Sequence, residues 1–165
     1  SRILLIVQGN HGWQFDDGRT DEQLLAEAVG ADWAEGQAFV NLVWPKRSIT
    51  VMAHHGFGGS RMRSGDVRAF ERDVLPYFDA DLSLLGHSHD AHFSRYRPLV
   101  GISPGLRPIQ TTRKRHAARC GSFLREYQPG KRVGYGEERL FPPSIIGYIA
   151  MEVGRDGITG DVVEV

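Results

Sequence analysis

Five of the seven histidines in this chain stand in three short turns, each directly after an apolar run. Gln8-Gly9-Asn10-His11 follows residues 3–7, His54-His55-Gly56 follows residues 49–53, and Gly86-His87-Ser88-His89 follows residues 82–85. Only His92 and His116 lie elsewhere. Neutral imidazole is the commonest side-chain metal ligand, so paired histidines at strand ends point to a metal site. Gly86 lets the backbone leave its strand in a conformation that a β-carbon would oppose, presenting His87 and His89 at the strand end. Strand ends are where the active sites of α/β folds collect.

The elements that must hold these turns can be read from periodicity and punctuation. Residues 1–8 are expected to form a buried strand, its apolar run at 3–7 unbroken as in buried parallel strands. Asp21 and Glu22 suit the start of a helix over 23–29, and Gly30 suits its end. Residues 37–44 alternate as a strand that Pro45 breaks, and 48–54 form the next strand. Val67, Phe70, Val74 and Leu75 recur at helical spacing over 66–78, with Pro76 limiting the helix. A strand over 81–85 then closes a strand–helix–strand unit with a parallel sheet. Beyond Asp90 the texture predicts strands at 92–97, 113–122, 145–153 and 161–165. These are expected to form a second sheet stacked on the first, within one domain over 1–165.

With 165 residues the chain is long enough to bury a core. Its single cysteine, Cys120, excludes an internal disulfide, fits a reducing compartment and is expected to pack as a small residue. No run nears the ~18 apolar residues of a membrane span, so a cytoplasmic protein without membrane contact is expected. Formal net charge is zero, yet no acid occurs in 91–125, where Arg95, Arg97, Arg107, Arg113, Lys114, Arg115, Arg119 and Arg125 fall. Such a basic stretch is a candidate nucleic-acid surface. The glycine-rich loop from Gly56 could turn N–H groups toward a phosphate, with Arg61 adding a bidentate contact.

In their order, the three turns resemble the later motifs of the calcineurin-like metallophosphoesterases: Gly-Asn-His with a following acid, a strand-terminal His, and Gly-His-x-His. Cys120-Gly121-Ser122-Phe123-Leu124-Arg125 and Gly134-Tyr135-Gly136-Glu137-Glu138 are similar to phage- and prophage-type members. The resemblance implies an α/β fold, a two-sheet sandwich flanked by helices, and hydrolysis of phosphomono- or phosphodiesters at two divalent ions (Mn, Zn or Fe). It implies that Asn10, His54 and His87 bind the second ion and His89 the first. His11 would stay off the metals and stabilise the phosphoryl group or protonate the leaving oxygen. His55 remains the alternative to His54.

The chain also departs from the family pattern. Asp-x-His and Gly-Asp-x-x-Asp, which precede Gly-Asn-His in the family, are not found in their place. Gly12 stands where the family has an acid. The expectation is therefore a partial domain lacking its N-terminal strands, with one weak metal site of its own. It would be completed by a segment carrying the absent motifs. The alternative is a non-catalytic relic serving as a nucleic-acid-binding or assembly module.

Overall fold

The computed structural model describes residues 2–57, 65, 67–68, 70–96, 99–110, 113–125, 127–128, 130, 134–140, 143–144, 146–154 and 157–165. Strand predominates among them. In chain order they form β1 (Leu5–Val7), α1 (Asp21–Val29), β2 (Asp32–Ala34), β3 (Gln37–Trp44), β4 (Arg47–His54), a π-helical turn at Phe70–Val74 and β5 (Leu82–Leu85). There follow β6 (Ala91–Tyr96), β7 (Val100–Ile102), β8 (Pro108–Gln110), β9 (Arg115–Cys120), α2 (Tyr135–Glu138), β10 (Gly147–Gly154) and β11 (Gly157–Glu164).

The first unit is β1–α1–β2, with β1 and β2 parallel. Helix α1 starts at Thr20, whose hydroxyl accepts the Gln23 N–H, and ends at Gly30 in the left-handed region at φ 66°. The strand predicted over 1–8 is shorter than expected and not continuously buried. Ile3 and Leu4 precede it and are about half exposed.

The main sheet has the order β3-β4-β5-β9-β6. β3 and β4 are antiparallel, β4–β5 and β5–β9 are parallel, and β9–β6 is antiparallel. The expected second sheet is thus corrected. β6 and β9, from the second half of the chain, complete the first sheet, because β9 supplies the ladder that β5 needs on its other edge. Two further hairpins, β7–β8 and β10–β11, stand as separate two-stranded sheets. Short strands β2, β7 and β8 had no clear alternation to announce them.

Period-two alternation divides the core between the sheet's two faces. On one face Ile49, Val51 and Leu82 pack with Ile158 of β11, and with Phe93, Met151 and Val153. On the other, Met52, Leu85 and Ala117 pack with Phe70, Val74 and Ala80. Phe70 and Val74 are the inward pair of the helix predicted over 66–78. Its described part includes a π-helical turn closed by the Leu75 N–H on the Phe70 carbonyl at 2.9 Å. No helix among the described residues is long and apolar enough to cross a membrane.

His116 lies in this core at 3% exposure, its ring stacked on Phe93 with centroids 5.6 Å apart. Burial lowers its pKa below the ordinary 6.5, against a smaller raising contribution from the Asp81 carbonyl. The unfolded chain therefore takes up a proton near pH 6.5 that the folded chain resists. Stability is full above that pH and is lost as pH falls through the lowered folded value. His54 and His55 shift in the same direction. Urea midpoints measured from pH 7.5 down to 5.5 should fall continuously, and His116→Gln should flatten part of that fall.

Candidate metal centre

The parallel pairing of β4 with β5 places His54 opposite Leu85, so both strands end at the same edge. The two turns that follow meet backbone to backbone. The Gly86 N–H donates to the His54 carbonyl at 3.3 Å. A β-carbon on Gly56 would lie 2.6 Å from the Gly86 oxygen, and one on Gly86 would lie 2.8 Å from the His55 oxygen. Real β-carbons do not come so close to backbone oxygens, so glycine is required on both sides. Gly56 is also at φ 108°, a region that other residues rarely adopt.

This contact brings His55 and His87 together, with ring centroids 5.1 Å apart at 81°. His55 Nε2 lies 3.1 Å from His87 Nδ1 and 2.8 Å from Asn10 Oδ1. Asn10 arrives from the turn after β1, so three strand ends meet at one ring nitrogen. His54 is oriented differently. Its Nδ1 accepts the Gly56 N–H at 2.7 Å, and its ring sits edge-on to Phe57. Of the adjacent pair, His55 reaches Asn10 and His87.

His11, His54, His87 and His89 all bear on His55. Burial first, and then the positive charge these four rings would carry, holds the His55 pKa below the ordinary value. His54 is lowered by burial alone. Both imidazoles are therefore neutral at neutral pH, the form that binds a metal. The other four turn histidines thus lie within electrostatic reach of His55, with His11 exposed and the rest half-buried.

The His-x-His turn is held in an uncommon backbone form. His87 and His89 are both left-handed, at φ 69° and 55°, each costing on the order of 1 kcal/mol. The Gly86 carbonyl braces this form by accepting the Ser88 N–H at 2.9 Å and Arg119 Nη1 at 3.0 Å. Arg119 has no solvent exposure, and its guanidinium carbon lies 5.1 Å from the centre of the Phe70 ring. By sequence Arg119 belongs to the basic stretch and, beside the Cys120-Gly121-Ser122 turn, is a candidate phosphate contact. Its small neighbours Ala118 and Cys120 carry no signal of a buried cation.

Two other arginines of that stretch serve the fold as well. Arg113 pairs with Asp81 at 2.8 Å and with Asp79. Arg115 is buried and donates to the Phe78 carbonyl at 3.1 Å and to that of Leu75. Cys120, expected to pack inside, is exposed. Arg61 and most of the glycine-rich loop lie outside the described residues.

Asn10 Oδ1, His55 Nε2 and His87 Nδ1 are the donors that could hold one divalent ion. Ligands at ~2.1 Å in octahedral geometry stand about 3.0 Å apart when adjacent, and the distances here are 2.8 and 3.1 Å. Among the described residues no three His, Cys, Asp or Glu side chains form a metal-ligand group. Compared with family models, curated proteins and solved structures, the chain matches none.

Separation of the two glycine turns should cost more than the loss of a glycine conformation alone. Gly18 is a control, since it has φ 86° and nothing within 4 Å of an added β-carbon. Gly56→Ala is expected to destabilise by about 1–3 kcal/mol more than Gly18→Ala. Paired urea titrations of the two variants measure the difference.

Proposed function

We propose that this chain carries the second-ion half of a metal-dependent phosphoesterase site. The observation that supports this reading is the meeting of Asn10 Oδ1, His55 Nε2 and His87 Nδ1 at 2.8 and 3.1 Å. An amide oxygen beside two imidazole nitrogens suits Mn²⁺, Zn²⁺ or Fe. Asn10, His55 and His87 hold the ion, with His55 taking the place the resemblance had left open between it and His54.

When bound, the ion supplies charge neutralisation at the phosphoryl oxygens and acidifies a water. The chain's own residues do the rest. His11, exposed beside Asn10, donates a proton to the leaving oxygen. His89, left-handed and on the same turn as His87, serves a first ion. His89 is the one first-ion ligand that the motifs assign here. Turnover therefore depends on Asp-x-His and Gly-Asp-x-x-Asp residues supplied in cis or by a second polypeptide. Within this reading the five-stranded sheet is one layer of a two-sheet sandwich, the β10–β11 hairpin belongs to the other, and the setting is cytoplasmic. A nucleic-acid module finds less support, because Arg113, Arg115 and Arg119 are engaged internally.

Calorimetric titration with Mn²⁺ tests the site. His55→Ala and His87→Ala should each weaken binding by at least about 10-fold, which loss of a ligand's hydrogen-bond partner alone costs. His54→Ala should weaken it far less. Hydrolysis of bis-p-nitrophenyl phosphate should be near background for these residues alone and rise when the Asp-x-His segment is added. Equal Mn²⁺ affinity in wild type and His55→Ala would defeat the assignment.

A further inference from the structure

The turn that presents Asn10 and His11 is clamped from outside itself, by the first turn of α1. The Glu22 carboxylate accepts the Gly9 N–H on Oε1 at 3.3 Å, and Asp21 Oδ1 accepts the Trp13 N–H at 2.9 Å. These two bonds bracket residues 9–13, with Asn10 and His11 between them. Glu22 also fills the space next to Gly12. A β-carbon there would lie 2.7 Å from Oε1 and 2.8 Å from Cδ, with Oε2 nearer still. Oε2 is shut off from solvent.

The same carboxylate lies across Gly9 from the His55 ring. A β-carbon on Gly9 would have Glu22 Oε1 and His55 Cε1 at 3.5 Å and His55 Nδ1 at 3.7 Å. Glu22 and the His55 ring therefore flank one point, on the Nδ1 side of the imidazole. His55 Nε2 is the nitrogen that faces Asn10 and His87. Histidines that bind metals usually direct their other ring nitrogen toward a carboxylate, carbonyl or water, which fixes the ring and raises its basicity. Asp21 stands beside Glu22 on the same turn, its Oδ1 accepting the Glu22 N–H at 3.1 Å.

We infer that Glu22 is a positioning residue of the metal centre. From helix α1 it reaches the turn that carries Asn10 and His11. One oxygen accepts the Gly9 N–H, and the carboxylate fills the space beside Gly12, so the turn is held where Asn10 meets His55. Gly12 is glycine because Glu22 occupies its side-chain space. This inference rests on the metal-site reading above and adds to it a residue that never touches the ion.

Mn²⁺ titration of Glu22→Ala beside Glu22→Gln is the first test, because glutamine keeps the shape and an oxygen for the Gly9 N–H while alanine keeps neither. Affinity should drop about 10-fold or more in Glu22→Ala and stay near wild type in Glu22→Gln. Gly12→Asp in the wild-type background should destabilise the fold, since the space is taken. Combined with Glu22→Ala, the same Gly12→Asp should recover both stability and Mn²⁺ affinity relative to Glu22→Ala alone. Wild-type affinity in Glu22→Ala, with His55→Ala still impaired, would overturn the role of Glu22 and leave the metal site standing. Failure of the wild type itself to bind Mn²⁺ would overturn both.

Discussion

The contact on which the site depends is the close approach of two glycines at the ends of parallel strands. β4 and β5 are in register to their last residues, so the chain leaves both at the same level. With side chains at positions 56 and 86 the turns would be forced apart by backbone oxygens. His55 and His87 would separate with them. The 3.1 Å approach of their ring nitrogens is therefore a consequence of main-chain packing, and the side chains merely complete it.

That approach is supported from below by a buried cation. Placing Arg119 without solvent exposure carries a desolvation cost, which carbonyl contact and the Phe70 ring face offset. Phe70 is also a principal side chain of the core on that face. The π-helical turn that positions Phe70 is thereby tied to the backbone of the His-x-His turn. Core packing and site geometry share one chain of contacts, from Phe70 to Arg119 to Gly86 to His87. The β1–α1–β2 unit joins this assembly at the Asn10–His55 contact, and the acids of the first turn of α1 keep its loop in shape. Those acids favour the helix N-terminus electrostatically as well. One pair of residues thus serves both local helix stability and the placement of the loop.

Much of the site was legible in the chain itself. Apolar runs that stop at Gly/His turns announce strand ends, and that signal is local. It points to Asn10, His11, His54, His87 and His89, with His55 as the alternative to His54, while periodicity and punctuation give α1, β3, β4 and β5 close to their observed bounds. What spacing could not do was choose between His54 and His55. Successive residues leaving a strand point in opposite directions, and which of them faces Asn10 depends on where β1 comes to rest. The second sheet was misjudged for a related reason. Alternation tells that β6 and β9 are strands, but their partner is decided by which sheet has an open edge beside them.

The sequence by itself determined the chemistry available: imidazoles and an amide at strand ends, punctuated by glycine, within a chain able to bury a core. Tertiary structure alone decided which of those groups meet. The Glu22 carboxylate beside Gly9 and Gly12, Arg119 under Gly86, and the loss of Arg113 and Arg115 from the basic stretch are all contacts between distant segments. No periodicity encodes such contacts. They arise because buried polar groups must find partners, and the nearest partners in a folded chain are set by strand order and register rather than by distance along the sequence.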